Sequence, residues 1–325
     1  MKPARRKFLH LAAGAAALPT LPHIAKAQAY PAQPVRLIVG FVAGGLTDIT
    51  GRLIAQWLSE RLGQRFIVEN RPGGAGNIAT EAVVRAAPDG YTLLVINTNN
   101  AINATLFEKL NFNIVRDIAP VASIGRVPHV MAVNPSLPVT TVPEFIAYAK
   151  ANPNKVSMGS GGNGSPAHVM GELFKIMTGV SMVHVPYRGA AAAVNDLLGG
   201  QIQVTFTELA SSIGFIRAGR LRALAVTTPM RLEALPEVPP MAEFVPGFEA
   251  SQWNGVGAPK NTPSEIIDKL NKEVNAALVD PKIKARMAEW DGTVLPGTPG
   301  EFGKFVADEI EKWGKVVKLS GAKPD

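Results

Sequence analysis

The sequence predicts an α/β protein of two lobes, each built on a central sheet with flanking helices. Apolar, β-branched strands alternate with amphipathic helices from Val35 onward, which is typical of parallel sheets. Glycine-rich turns follow a strand in each half of the chain, at 43–45 and 159–165. Two apolar segments, around 125–134 and 248–258, are placed to carry the chain between the lobes and back. Two such crossings form a hinge, so closure around a ligand is expected.

The first half of the chain predicts the strands and helices of one lobe. In order, they are a strand from Val35, a helix at 47–62, a strand at 65–69, a helix at 78–87, a strand at 91–97, a polar loop at 98–100 and a helix from Ala101. In open α/β sheets, ligands bind beyond the carboxyl ends of the strands. We therefore expect the ligand near the turns that follow these strands.

The second half repeats this construction without repeating its sequence. The predicted elements are apolar runs on either side of Gly125 and Pro128, a capped helix from Thr141, strands at 156–158 and 182–186, helices from Pro166 and at 190–198, strands at 203–206 and 221–227, and a proline-rich loop at 236–246. Capping boxes at 262–265 and 298–301 predict the starts of the last two helices. We expect lobe 1 at 28–128 and 253–325 and lobe 2 at 129–252.

Residues 1–27 are interpreted as a twin-arginine-like signal peptide. The pair at 5–6 precedes an alanine-rich apolar stretch, and both Ala27 and Ala29 end a small-x-small cleavage pattern. The stretch is short and flanked by prolines, which argues against a membrane-spanning helix. Sec signals also carry paired arginines, so the export route stays open. The mature protein is expected in the periplasm.

Composition excludes several classes of protein. The chain has no cysteine, which excludes a disulfide framework, a thiol nucleophile and a cysteine metal site. The formal net charge is +7, but residues 1–27 hold five of the Lys and Arg residues and no acid. The rest of the chain is therefore only slightly basic, and no nucleic-acid partner is expected.

The stretch at 35–48 is the best candidate for an anion site. It predicts a strand, a turn at Gly44 and Gly45, and a helix that opens with Thr47 and Asp48. Glycines let backbone N–H groups approach a ligand, and the helix start adds unpaired donors at its positive end. The alternative stays open that the glycines only make a tight turn and that Thr47 or Asp48 only caps the helix.

Several motifs in sequence order resemble one known family. They are the stretch at 35–48, Val68-Glu69-Asn70-Arg71-Pro72-Gly73, the turn at 159–168, Val185-Pro186-Tyr187-Arg188-Gly189, Trp253 and Trp313-Gly314-Lys315. Together they resemble the Bug/TctC family, the periplasmic solute-binding receptors of tripartite tricarboxylate transporters. The resemblance covers essentially all of the mature chain.

The resemblance implies a type II periplasmic-binding-protein fold that closes on a small carboxylate or a related amide. It implies delivery of that ligand to membrane permease subunits by a monomeric protein without catalysis, cofactor or metal. Carried over by motif, the ligand contacts are Ala43, Gly44, Gly45, Thr47, Asp48, Asn97, Thr98, Ser160, Gly164, Ser165 and His168. Because Asp48 would repel a carboxylate, we expect it to cap the helix or to orient the loop or a water instead.

The strand end at Thr207 and Glu208 departs from the family pattern. The family often has an aspartate there, followed by a neutral residue, whereas this chain has a hydroxyl followed by a carboxylate. We expect Thr207 to contact the ligand and to favour a neutral or hydroxylated group over a cationic one. Whether Glu208 faces the pocket or solvent stays open.

An exported NADP-dependent oxidoreductase is the alternative function. Gly159, Gly161 and Gly164 have the dinucleotide-binding spacing, and Arg188 would bind the 2′-phosphate. No acidic residue ends the next strand, however, and the lobe is small for a dinucleotide fold. A serine hydrolase is less favoured, because neither serine of this turn lies in a G-x-S-x-G motif.

Overall fold

The computed structural model describes residues 30–324, so the predicted signal peptide and its cleavage positions lie outside the described residues. The strands are β1 (Val35–Val39), β2 (Phe66–Asn70), β3 (Thr92–Asn97), β4 (Ile118–Val133), β5 (Ser157–Ser160), β6 (Val183–Pro186), β7 (Val204–Glu208), β8 (Arg222–Val226), β9 (Ser251–Pro259) and β10 (Thr293–Val294). The helices are α1 (Leu46–Leu62), α2 (Asn77–Val84), α3 (Thr98–Leu106), α4 (Ile114–Asp117), α5 (Val142–Ala151), α6 (Pro166–Thr178), α7 (Ala190–Leu198), α8 (Leu209–Arg217), α9 (Ser264–Val279), α10 (Pro281–Ala288) and α11 (Pro299–Ser320). Within residues 30–324, no helix combines the length and the apolar character that crossing a membrane requires.

The strands form two regions of one curled sheet. In the first region the order is β2-β1-β3-β9-β4, with β1 parallel to both β2 and β3. In the second the order is β4-β7-β5-β6, with β5 parallel to β6 and β7, while β8 pairs with β4. The predicted α/β class and the parallel strand–helix units are therefore confirmed.

Strand β4 belongs to both regions. Its residues from Ile118 to Pro128 pair with β9, and those from His129 onward pair with β7. Nearly every residue of the strand is buried, which explains its long apolar sequence. The prediction placed two runs on either side of Gly125 and Pro128, but they form one continuous 16-residue strand. Its pairing with β9 shifts register at two bulges but continues on both sides of each.

The return crossing lies directly beside β4. The amide of Thr227 donates to the carbonyl oxygen of His129 at 2.9 Å, and the amide of Ala250 donates to the carbonyl oxygen of Thr227 at 3.0 Å. Strand β9 then begins at Ser251. Both connections between the two sheet regions therefore meet within a few residues of His129.

The hydrophobic core is continuous between the two regions. Phe174 and Phe206 of the second region lie with ring centroids 5.7 Å apart, and Phe206 lies 6.3 Å from Phe248. The same cluster of buried side chains contains Trp253 and Trp313 of the first region. Helix α11, which carries Trp313, packs on α3 and also on α6, so the last helix of the chain contacts both regions.

One predicted loop and one predicted helix cap were wrong. Residues 98–100 are not a loop, because α3 begins at Thr98. The side chain of Asn97 accepts from the amide of Asn99, and Asn100 Oδ1 accepts from the amide of Asn97, so asparagines make the capping box. In the box at 262–265, α9 begins at Ser264 as predicted, but Thr262 donates to the carbonyl of Pro259 and does not cap the helix.

Other helix predictions were confirmed, and three helices were missed. The capping boxes at Thr141 and Thr298 are both confirmed. Helix α4 has only four residues and α10 only eight, and α8 follows β7 directly, without a turn signal in between. None of the three was predicted, because short helices give little periodicity.

Candidate functional site

A cleft of about 700 Å³ opens between the two sheet regions, at the turns that follow β1, β5 and β6. Its walls include the start of α1 on one side and the starts of α6 and α7 on the other. His129 on β4 and Gln252 on β9 contribute to the lining from the two crossings. The cleft therefore lies where the sequence placed the ligand, beyond the carboxyl ends of parallel strands.

Three helix N-termini converge on the cleft. Helix α1 begins after Gly45 and α7 begins after Gly189, and neither N-terminus has a side-chain cap. Helix α6 begins after Ser165, whose hydroxyl accepts from the amide of His168 at 3.4 Å. The starts of α1 and α7 present unpaired N–H groups, whereas at α6 Pro166 has no N–H and the amide of His168 is already bonded. All three helices direct a positive dipole end at the cleft. No Lys or Arg is among the described residues that line the cleft, so its attraction for an anion comes from backbone donors.

Asp48 shapes the first turn from behind. It is almost fully buried, and its Oδ2 accepts from the amide of Gly44 and from Arg52 Nε, both at 2.9 Å. Its Oδ1 accepts from Asn70 at 2.8 Å. Burial would raise the pKa of Asp48, but the hydrogen bonds from Arg52, Gly44 and Asn70 outweigh it and hold the pKa below its usual range. Asp48 is not part of the cleft lining.

His168 has the same role at the second turn. Its Nδ1 accepts from the amide of Gly164 at 3.0 Å, just as Asp48 accepts from the glycine four residues before it. The ring of His168 stacks on His184 with centroids 3.7 Å apart, and His184 Nε2 lies 2.6 Å from Ser160 Oγ. Burial, followed by the nearby His184 and Lys175, lowers the pKa of His168 to about 3. The ring is therefore neutral at pH 7, as an accepting Nδ1 requires.

The structure gathers the predicted contact residues around the cleft, but not all of them line it. Those that line it are Gly45, Thr47, Ser165 and Thr207. Those that lie in or behind the turns are Ala43, Gly44, Asp48, Asn97, Thr98, Ser160, Gly164 and His168. Asn97 donates to Thr47 Oγ1 at 3.2 Å, and Thr98 Oγ1 accepts from the amide of Trp253 at 2.9 Å. The side chain of Asn97 therefore joins the end of β3 to the start of α1, and that of Thr98 joins the start of α3 to β9.

Several lining residues were missed by sequence reasoning. Gly189 and Ala190 form a third strand–glycine–helix turn, which the same pattern could have identified. Asn99, His129 and Gln252 gave no such signal, because they follow no glycine turn and reach the cleft only through the fold. Among the described residues, no group of three or more His, Asp or Glu side chains could hold a metal ion.

Glu208 faces the cleft, which answers the question that the sequence left open. It ends β7 opposite His129 in the β4–β7 register. Burial raises the pKa of Glu208. His129 is buried, and burial lowers its pKa to about 4, partly offset by a hydrogen bond to the backbone of Val127. At pH 7 the described lining therefore holds one acidic side chain, one neutral imidazole and no basic side chain.

A second cavity, of about 460 Å³, lies between α6 and α11. Its floor is apolar, and its rim carries Lys312 and Lys315. Lys312 pairs with Glu309 of the same helix, and Lys315 pairs with Glu311 at 2.6 Å. These charges are satisfied within α11, so the cleft with its unpaired backbone donors is the stronger candidate for a ligand site.

The neutral state of His168 predicts a pH dependence of stability. The pKa of about 3 in the folded chain lies below the 6.5 of an unperturbed histidine, so the unfolded chain binds the extra proton. Stability from this group is complete above pH 6.5 and is lost as the pH falls toward 3. Between pH 7 and pH 5 the loss is about 2 kcal/mol. The variant His168→Asn keeps an acceptor for the Gly164 amide but does not titrate, so it should lose less over this interval.

Urea unfolding of both proteins at pH 7 and pH 5 measures the difference. His129 titrates in both proteins, so it cancels in the comparison. An equal loss of unfolding free energy in the wild type and in His168→Asn would contradict a neutral, accepting His168.

Comparisons with known proteins identify the family. The family model described as "Tripartite tricarboxylate transporter family receptor" (TctC) matches residues 50–322. Protein BugT of Bordetella pertussis is 39% identical over 300 residues, which cover 91% of this chain and 92% of BugT.

Two solved structures have the same fold. The R. palustris protein Rpa4515, solved with adipate, is 39% identical with a TM-score of 0.81, covering 91% of this chain and all of that chain. The periplasmic binding protein BugD is 32% identical with a TM-score of 0.77 and the same coverage. The predicted periplasmic-binding-protein fold and the predicted family are therefore confirmed. This chain belongs to the TctC family of tripartite tricarboxylate transporter receptors.

Proposed function

We propose that this chain is a periplasmic receptor that binds a small carboxylate or a related amide in the cleft and delivers it to membrane permease subunits of a tripartite transporter. The observation that carries the proposal is the convergence of the N-termini of α1, α6 and α7 on a cleft whose described lining has no Lys or Arg. The related R. palustris protein was solved with adipate, a carboxylate of the proposed kind.

The predicted contact residues divide into two roles. Gly45, Thr47, Ser165 and Thr207 line the cleft, so their backbone amides and hydroxyls are placed to bind the ligand. The other predicted contact residues lie in or behind the turns and shape them. They are Ala43, Gly44, Asp48, Asn97, Thr98, Ser160, Gly164 and His168. No cofactor or metal takes part in this proposal.

The lobes are proposed to be 28–128 with 253–325 and 129–252. The change of partner along β4 between Pro128 and His129 supports the first boundary, and the start of β9 at Ser251 supports the second. The neighbouring bonds of Thr227 and Ala250 make a compact hinge at which the lobes close on the ligand.

The remaining parts of the proposal concern the whole protein. Residues 1–27 are its signal peptide, cleaved near Ala27 or Ala29, and the mature protein acts as a monomer without catalysis. Membership of a receptor family supports a binding role. The NADP oxidoreductase is disfavoured because Arg188, which would bind the 2′-phosphate, is exposed and is not part of the cleft lining.

A bulky side chain at Gly45 should block the site and leave the fold intact. The backbone of Gly45 is extended, and an added Cβ would meet only the Val42 carbonyl oxygen at 3.8 Å. We expect Gly45→Val to weaken adipate binding at least about tenfold and to change the melting temperature by less than about 2 °C. Isothermal titration calorimetry and thermal unfolding measure both effects.

The matched control is Gly300→Val. Gly300 lies in the first turn of α11, where an added Cβ has nothing within 4 Å, and it lies outside the cleft. This variant should bind adipate as the wild type does. Undiminished binding by Gly45→Val would place the ligand site elsewhere.

Lobe closure predicts compaction on ligand binding. Small-angle X-ray scattering of the mature protein, with and without a saturating carboxylate that calorimetry shows to bind, should give a smaller radius of gyration for the complex. An unchanged radius would contradict closure about the two crossings.

A further inference from the structure

Glu208 lies at the end of the cleft nearest the two crossings. In the sheet register it stands opposite His129, the first residue of β4 that pairs with β7 instead of β9. On the other side of β7, the neighbouring strand β5 leads into the glycine turn at 161–164. A ligand held by the helix N-termini of these turns therefore has Glu208 on its hinge side.

The carboxylate of Glu208 has no partner within residues 30–324. The hydroxyls of Ser211 and Ser212 donate to its backbone carbonyl oxygen, at 2.8 and 3.2 Å, and leave the side chain unused. Burial alone accounts for its raised pKa, with no compensating hydrogen bond or nearby cation. Glu208 is half-buried on the cleft lining, so its unpartnered carboxylate is open to a hydrogen-bond donor carried by a ligand.

The neighbouring His129 also has a polar atom that lacks a hydrogen-bond partner. Its Nδ1 is buried, and no group in the described chain bonds to it. Both residues line the cleft. Among the described residues, the hinge end of the cleft therefore offers the carboxylate of Glu208 and the Nδ1 atom of His129 as groups without a hydrogen-bond partner, while the turns offer backbone N–H donors. A ligand that satisfies both ends needs an acceptor group at one end and a hydrogen-bond donor at the other.

We propose that Glu208 selects carboxylates that carry a donor group, namely an ammonium, an amide N–H or a hydroxyl, and that it disfavours a second carboxylate. This inference rests on the proposed function and names the class of ligand for the same cleft. A donor gives Glu208 the hydrogen bond that it lacks. A second ionised carboxylate at this position would repel an ionised Glu208, and the described lining holds no Lys or Arg to offset that repulsion.

The test compares ligands of equal length that differ only at one end. One set is adipate, its monoamide adipamate and 6-aminohexanoate, and a shorter set is succinate, succinamate and 4-aminobutanoate. Calorimetry at pH 7.5 gives the dissociation constants for the wild type, for Glu208→Gln and for Glu237→Gln. Glu237 is an exposed carboxylate in the same half of the chain and lies outside the cleft lining. Glu237→Gln is therefore the control, because it makes the same substitution away from the cleft.

In the wild type, the amide or ammonium member of a set should bind at least about tenfold more tightly than the dicarboxylate. In Glu208→Gln the preference should reverse, because the glutamine amide can donate to a second carboxylate. Glu237→Gln should keep the wild-type preference. The wild-type comparison tests the proposal even if Glu208→Gln does not fold.

A wild type that prefers the dicarboxylate, or a preference that Glu208→Gln leaves unchanged, would overturn the role of Glu208 and leave the receptor function standing. Binding of none of the six probes at millimolar concentration would count against the proposed carboxylate receptor itself, and the inference would fall with it.

Discussion

The shared strand β4 is the constraint on which the rest of the structure depends. One buried strand, Ile118–Val133, pairs with β9 along its first part and with β7 and β8 along its second. Because both sheet regions are hydrogen-bonded to the same strand, the carboxyl ends of their parallel strands face each other across it. The cleft and the convergence of three helix N-termini follow from this arrangement.

The cleft attracts an anion through backbone geometry instead of through basic side chains. This choice requires that each glycine turn be held in place, because N–H groups act only when they are aimed. Two buried side chains do this in the same way. Asp48 accepts from the amide of Gly44, and His168 accepts from the amide of Gly164, in each case four residues earlier in the chain. Asp48 therefore orients its loop, as the sequence suggested, and His168, predicted as a ligand contact, supports its turn in the same way.

Much of the fold could be predicted from the sequence, because the spacing of apolar residues and the residue types of turns depend only on nearby positions in the chain. Apolar runs, glycine turns and threonine capping boxes located most of the strands and helices. The errors came where the same local signal has two outcomes. Asn97 and Asn100 cap α3 although asparagines are also typical of loops, and Thr262 bonds to a carbonyl instead of capping α9.

The site could be predicted only in part, for a different reason. The turns at Gly45 and Ser165 can be recognised in the sequence by their glycines and by the helical pattern that follows. His129 and Gln252 lie in the two crossings, and only the pairing of β4, β7 and β9 brings them to the cleft beside Glu208. Nothing local distinguishes such residues from other buried strand positions. The polarity at the hinge end of the cleft is therefore a property of the fold.

The most direct test of the central claim is native mass spectrometry of the mature protein purified without added ligand. The account predicts that molecules retained in the cleft are small organic acids or amides, released on denaturation and identifiable by mass. A retained nicotinamide dinucleotide would contradict the receptor account and would favour the oxidoreductase instead.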